Sequence, residues 1–352
     1  MAGYLVRRVL WAVVLFLVLS AFTFVVYFVI PGTGQRAVNF RQGTQLQIRD
    51  QITLTGPVTH QYLQFVQRVA THGSLGRSYF NRQPVNHLVL VSASVTACVV
   101  VGGILLALLF AVPIGVLSAM RPRSKLDRLG MTLVLLGVSV HPAFVALIFA
   151  FLFAHTLHWL PNAGYCNLLH PSLGCGGPRQ WANHLVLPWA TFALPFAAIY
   201  TRMVRASLIE ALDDDHVLFA RAKGAPELRV IRDHALRPVL APLVTMLAVD
   251  AGTAFVGTMA GGTMAATLFV ENVFGLPGLG TLLVNAATRL DLPVMVGVTV
   301  FVTTLILVLM LLADVVTALL DPRVREAQQF GWRFPALRRR PAQASQPAQT
   351  FS

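Results

Sequence analysis

Residues 88–120 read LVLVSASVTACVVVGGILLALLFAVPIGVLSAM, a stretch without one charged side chain. A helix needs about 20 apolar residues to cross the hydrocarbon core of a bilayer. This stretch exceeds that length, and helices embedded in lipid tolerate a residue such as Pro113 better than soluble helices do. We therefore predict a membrane-spanning helix over about 88–120.

The whole chain has the composition of a membrane protein. Of its 352 residues 56% are hydrophobic and 12% are charged, whereas a soluble domain carries about 25% charged residues. We predict an all-α integral membrane protein with about six transmembrane helices, because five further apolar runs are long enough to cross. The five runs are 9–30, 129–154, 185–203, 239–270 and 294–320.

The segments between these runs differ in character. The polar stretch 31–87 has enough apolar residues to fold as a small external element. Residues 205–237 form the one long charged segment, and residues 326–352 form a basic tail that we predict to be disordered. The sequence therefore predicts a transmembrane domain over 1–325.

The positive charges predict the orientation. Cytoplasmic loops of membrane proteins carry an excess of Lys and Arg. The loop 121–128 and the segment 205–237 are basic, whereas the two short loops on the other side carry only Arg179 and Arg289. Both termini are therefore predicted to be cytoplasmic. The net charge of +13 is scattered rather than gathered in one stripe, so we expect no nucleic acid partner.

The chain has three cysteines. Cys98 lies in an apolar run and is expected to be a small packing residue. Cys166 and Cys175 share a polar loop, and a disulfide between them is favoured if the loop faces an oxidising compartment. Two free thiols or a metal site are the alternatives. The histidines near these cysteines in sequence are His158, His170 and His184.

The charged segment 205–237 is expected to be a helix, a break at Gly224-Ala-Pro226, and a second helix that re-enters the membrane. A short helix joined rigidly to two spans can transmit force from a soluble partner. The alternative is an ordinary solvated loop with salt bridges.

At these residues the chain resembles the B-type permease subunit of the peptide/nickel ABC importer family (dipeptide/oligopeptide permeases). The loop reads Ala220-Arg-Ala-Lys-Gly224 and, after nine residues, His234-Ala-Leu-Arg237. The resemblance covers about 1–325. Other segments that fit the family are Tyr4–Arg8, Gly76–Ser78, Pro113–Leu117, Leu126–Arg128, Trp159–Pro161, Leu187–Pro188, Glu271–Gly280 and Asp321–Arg325.

The resemblance implies the type I ABC importer permease fold in a bacterial cytoplasmic membrane. It implies a second homologous permease subunit, two ATP-binding cassette subunits that hold ATP-Mg, and an extracytoplasmic substrate-binding protein. By this resemblance the importer moves di- or oligopeptides by alternating access, and the chain is no enzyme. It lacks the phosphate loop G-x-x-x-x-G-K-[ST], and we expect no cofactor on this chain. An ion-gradient-driven secondary transporter is the alternative, which predicts internal repeats and several intramembrane charged residues.

The resemblance also implies a coupling loop that binds the ATPases. The apolar Leu218 and Phe219 could enter a groove of the ATPase or pack back on the permease. The acids Asp213–Asp215 could favour the N-terminus of the coupling helix or simply be solvated. The candidate coupling residues are Glu210, Asp213, Asp214, Asp215, Leu218, Phe219, Ala220, Arg221, Ala222, Lys223, Gly224, His234, Leu236 and Arg237.

The fifth apolar run carries the candidate translocation path. As one helix 239–270 would be about 48 Å long, so it must be tilted, broken or protruding. Asp250 could face the path or hold a neighbouring helix by a hydrogen bond. The small residues around Gly257 and Gly261 could widen the path or allow close helix packing.

Overall fold

The computed structural model describes residues 2–25, 73–168, 175–256 and 266–320, together with a few residues between 60 and 71. Regular structure in this part is helical, apart from isolated bridge residues such as the pair Arg77 and Pro84. π-helical segments at Ala150–Thr156 and Val230–Ala235 extend α4 and join α7 to α8. The helices are α1 Ala2–Phe24, α2 Val85–Met120, α3 Lys125–Ser139, α4 Pro142–Phe149, α5 Pro178–Leu212, α6 Asp215–Ala222, α7 Glu227–Arg229, α8 Leu236–Val256, α9 Ala266–Val273, α10 Leu279–Arg289 and α11 Leu292–Leu320.

The predicted helical membrane architecture is confirmed. Among the described residues α2, α5 and α11 are each long and apolar enough to cross a bilayer, and two bent pairs of helices raise the number of spans to as many as five. The first predicted run corresponds to α1, whose described apolar part is Val13–Thr23. Most of the predicted external element 31–87 and the whole tail 326–352 lie outside the described residues.

The third predicted span, 129–154, corresponds to a bent pair of helices. The chain bends by 100° between Asp127–Gly137 and Pro142–Thr156. The cause is local, since a residue before proline avoids the helical conformation. His141 is extended, and its side chain accepts a hydrogen bond from the backbone N–H of Ala143 to cap α4.

The fourth predicted span, 185–203, is too short. Helix α5 runs without interruption from Pro178 to Leu212, which makes it about 52 Å long at 1.5 Å per residue. The first eight residues of the predicted coupling loop 205–237 are therefore the end of a spanning helix. Helix α5 is thus longer than a hydrocarbon core of about 30 Å and can extend beyond both of its faces.

The fifth predicted run, 239–270, is described in two parts. Helix α8 is described as far as Val256 and α9 from Ala266, and 257–265 lie outside the described residues. The segments Glu227–Leu240 and Pro242–Ala251 meet at 44°, because proline removes a backbone hydrogen bond inside a helix. The sequence did not predict α10, which is separated from α9 by a turn at Gly275 with φ +60°.

Packing centres on α2 and α5. Gly103 of α2 lies so close to the ring of Phe192 that a Cβ at this position would clash with it. The rings of Phe192 and Phe196 stack 4.8 Å apart along α5, and both belong to the main core. A second cluster surrounds Leu185, Phe274 and Leu276 near the start of α5. This pairing holds α5 in place, so that its far end can position the charged segment.

Candidate coupling site

The short helix α6 stands at the end of α5. Asp213 caps the C-terminus of α5, and Asp214 has the extended backbone that precedes α6. After α6 the chain reverses at Gly224, whose φ is +76°. Such a left-handed backbone is easy for glycine and strained for most other residues. Pro226 is the N-cap residue before α7, and the chain then continues into α8.

Helix α6 has two unlike faces. Val217 is fully buried and Ala220 is 8% exposed, and both belong to the main core. Leu218 and Phe219 point the other way and are 48% and 62% exposed. The Lys223 ammonium lies 4.5 Å from the centre of the Phe219 ring. The helix is therefore anchored by one face while it presents a leucine and an aromatic ring on the other.

The acidic residues cluster around the N-terminus of α6. Asp215 lies in its first turn, and negative charge there interacts favourably with the helix dipole. The Asp214 side chain makes no capping hydrogen bond, and its carboxylate lies 3.7 Å from Nδ1 of His216. Glu210 and Asp213 are exposed.

An ion pair closes the turn after α6. Arg221 donates to Glu227 at 2.6 Å across the Gly224 reversal, and the Glu227 carboxylate raises the pKa of the Arg221 guanidinium. Both side chains are partly exposed, so solvent weakens the pair. At the end of the loop His234 and Arg237 are exposed, and Leu236 is half-buried.

The base of the loop is held by a cluster that the sequence analysis missed. Arg205 of α5 donates to both carboxylate oxygens of Asp127, at 2.7 and 2.9 Å. Asp127 also accepts from the Ser118 hydroxyl and from the backbone N–H of Arg123. The Asp127 side chain is 6% exposed. The cluster joins α2, α3 and α5. The sequence does not show it, because Arg205 and Asp127 are far apart in the chain.

Of the three candidate path residues, the structure describes Asp250. Tyr200 of α5 donates a hydrogen bond of 2.9 Å to Asp250 of α8. This contact corresponds to the helix-holding alternative for Asp250. Gly257 and Gly261 lie outside the described residues.

The opposite end of the molecule contains a buried carboxylate. Glu271 is fully buried and accepts hydrogen bonds from Thr96 Oγ1 at 2.6 Å, Gly280 N at 2.8 Å and Thr281 N at 3.2 Å. Thr96 Oγ1 in turn accepts from Leu279 N at 2.8 Å. The carboxylate thereby satisfies the N–H groups at the start of α10. This contact explains why glycines occupy positions 278 and 280, where a Cβ would meet the Glu271 carboxylate.

The loop before α5 holds the cysteine pair. Cys166 and Cys175 are joined by a disulfide, with their Cα atoms 5.3 Å apart. His184 lies beside this bridge, with Nδ1 3.4 Å from the Cys166 sulfur. His170 lies outside the described residues, and Cys98 is a half-buried thiol on α2.

Comparison with known proteins places these features in a family. The model of the binding-protein-dependent transport system inner membrane component matches residues 111–326, and that of its N-terminal region matches 1–100. A putative peptide permease protein of Brucella suis biovar 1 is 32% identical over 92% of this chain and 99% of its own length. The oligopeptide transport system permease protein OppB of Escherichia coli (strain K12) is 31% identical over 92% of this chain and 100% of its own length.

A solved structure shares the fold. The inward-facing MetNI methionine ABC transporter, in its CY5 native crystal form, aligns with a TM-score of 0.51 at 18% identity. The alignment covers 68% of this chain and 99% of that chain. The helices of this chain therefore adopt the fold of an ABC importer permease. Since the family models cover most of the chain in order, it belongs to the family of inner membrane components of binding-protein-dependent transport systems.

Proposed function

We propose that this chain is one permease subunit of an ATP-driven importer that carries peptides across the cytoplasmic membrane. The named relatives are peptide and oligopeptide permeases, which supports peptides as the cargo. The second permease subunit, the two ATPases with their ATP-Mg and the external binding protein are further parts of this proposal. ATP is hydrolysed on the separate ATPases, and this chain is a transport subunit rather than an enzyme.

The helix α6 is the coupling element of this proposal. The observation that carries it is the contrast between buried Val217 and exposed Phe219 on one helix of eight residues. An anchored helix with an exposed aromatic ring suits insertion into a groove of a soluble partner. The whole set from Glu210 to Arg237 named above surrounds this helix and forms the proposed coupling site.

The mechanism follows from the continuity of α5 between Pro178 and Leu212. When ATP closes the two ATPases, they move α6, and α5 transfers that movement over about 52 Å to the other side of the membrane. The Arg205–Asp127 pair carries the same movement into α2 and α3. Substrate from the binding protein then enters the path, which includes the region of Asp250, Gly257 and Gly261, and leaves toward the cytoplasm.

The test is co-purification of the tagged chain from its native membrane with the variant Phe219→Asp. We expect loss of the ATPase subunits while the second permease subunit is retained, because a carboxylate cannot enter an apolar groove without a partner. Uptake of radiolabelled peptides by the same cells should fall with it.

The matched control is Trp159→Asp, which places the same charge on a ring that is 70% exposed. The Trp159 ring lies 6.1 Å from the Phe153 ring, in the segment that precedes the N-terminus of α5. This variant should retain the ATPases. If both variants retained the ATPases and left peptide uptake unchanged, α6 would not be the coupling element. Recovery of the unchanged chain without any ATPase subunit would contradict the importer proposal.

A further inference from the structure

The loop before α5 brings three metal-binding side chains together. Among the described residues Cys166, Cys175 and His184 place one ligand atom each within 4.8 Å of one another. Cys166 is 1% exposed, while Cys175 and His184 are half-buried. The group is therefore held by the fold and can still be reached from solvent.

His184 makes the kind of backbone hydrogen bond that metal-binding histidines make. Its Nδ1 lies 2.9 Å from the backbone carbonyl oxygen of Gln180. A carbonyl only accepts, so Nδ1 carries the hydrogen and the lone pair is on Nε2. Histidines that bind metals commonly donate their second ring N–H to a carbonyl or carboxylate, which sets the tautomer and the ring orientation.

The spacing also fits a tetrahedral ion. Nε2 of His184 lies 3.7 Å from the Cys166 sulfur. With bonds of about 2.3 Å to sulfur and about 2.0 Å to nitrogen, two ligands of a tetrahedral zinc ion lie roughly 3.5 Å apart. Two movements are needed for all three groups to bind one ion. The two sulfur atoms, which are now bonded to each other, must separate, and the His184 ring must turn, because its Nδ1 lies nearer the Cys166 sulfur, at 3.4 Å, than its Nε2 does. Two thiolates, one imidazole and a water are an established kind of open zinc site.

We propose that Cys166, Cys175 and His184 form a Zn²⁺ site that competes with the disulfide. A dithiol reductant opens the bridge by supplying two electrons and two protons, and is itself oxidised to a disulfide. Zn²⁺ then binds the two sulfurs as thiolates and releases their two protons. A disulfide oxidant reverses this step: it takes up two electrons and two protons and becomes a dithiol, the Cys166–Cys175 bond reforms, and Zn²⁺ leaves. The cysteine pair thus has two linked states, one covalent and one metal-bound.

The position of this loop gives the two states a consequence. Gly164 N donates to Phe274 O at 3.0 Å, and Phe274 lies in the turn between α9 and α10. A change in the cysteine loop is therefore transmitted directly to the segment that Glu271 holds. We expect the metal-bound and oxidised chains to differ in hydrogen exchange at 271–281.

The test uses the full chain, purified in lipid nanodiscs, reduced with a dithiol and freed of metal. Titration with Co²⁺ in the absence of oxygen should give a thiolate-to-cobalt charge-transfer band that saturates at one Co²⁺ per chain. Addition of Zn²⁺ should then remove this band. The unreduced chain should give no band. Zn²⁺ should also protect both thiols from alkylation, as counted by mass spectrometry.

The variants separate this site from other metal binding. Cys175→Ser should abolish the charge-transfer band, and His184→Ala should weaken Co²⁺ binding at least about tenfold. Cys98→Ser, which changes the thiol on α2, should leave the band unchanged. Each variant is compared at equal monodispersity in size exclusion. A reduced wild-type chain without the band, or a band that survives Cys175→Ser, would overturn the proposal.

Discussion

At the scale of single residues, buried polar contacts tie the spans together. The Arg205–Asp127 pair joins α5 to the start of α3, and the Tyr200–Asp250 hydrogen bond joins α5 to α8. A polar group without a partner is costly in an apolar interior. Each contact therefore specifies which helices are neighbours, in addition to any stability it contributes.

Replacement of Arg205 by methionine should destabilise the chain strongly. Arg205→Met leaves the Asp127 carboxylate, 6% exposed, without its cation, which should cost about 3 kcal/mol of unfolding free energy. Addition of Asp127→Leu should recover much of this loss. The measurement is unfolding of the purified chain by a denaturing detergent.

The matched control is Arg232→Ala, which removes an arginine from the exposed pair with Asp233. We expect no measurable change there, since solvent screens such pairs. Equal losses for Arg232→Ala and Arg205→Met would contradict the role assigned to Arg205.

At the scale of elements, turns and caps decide where the short helices point. The reversal at Gly224 directs the chain from α6 back to α8, and the carboxylate of Glu271 holds the start of α10. Both features are local in form. Only the first is visible in sequence, because the second depends on Thr96 and Glu271, which come from α2 and α9.

The turn after α6 should tolerate asparagine better than valine. Gly224 has φ +76°, which a β-branched side chain adopts only with strain, whereas asparagine adopts such conformations more readily. Gly224→Val should cost about 1–3 kcal/mol. Hydrogen exchange over 215–236 should rise in Gly224→Val and change less in Gly224→Asn. A reversed order would show that the turn does not need a left-handed residue.

The cap on α10 should need a carboxylate. Glu271→Gln leaves one acceptor oxygen, which cannot serve both the Thr96 hydroxyl and the N–H groups of Gly280 and Thr281, as the two carboxylate oxygens do. Leaving a buried donor unsatisfied costs about 1–3 kcal/mol. Unfolding in detergent measures the loss. Glu227→Gln, at a half-exposed carboxylate, is the control and should change stability little.

At the scale of the whole molecule, the long helix α5 separates two sites that lie near its two ends. Helix α6 continues from its C-terminus, and the cysteine loop precedes its N-terminus. The distribution of positive charge predicts that the α6 end is cytoplasmic. The proposed coupling site and the proposed zinc site therefore lie on opposite sides of the membrane.

This orientation can be measured by labelling single cysteines with a maleimide that does not cross membranes. After replacement of the three native cysteines, Asn285→Cys in α10 should react in intact spheroplasts. Lys223→Cys should react only after permeabilisation. Both positions are exposed in the fold, so a difference in labelling reports the side of the membrane that each one faces. The opposite pattern would invert the topology and remove α6 as a contact for cytoplasmic ATPases.

The sequence by itself determined that the apolar runs are embedded in lipid, that the fold is helical and that a helix breaks at 224–226. These features depend on the length of each apolar run and on the backbone preferences of Gly and Pro. The resemblance in 1–325 was likewise present in the order of its motifs. Only the tertiary structure decided that α5 continues to Leu212, that the third span bends by 100°, and that Arg205 meets Asp127. Such features depend on contacts between residues far apart in the chain, whose partners no local pattern names.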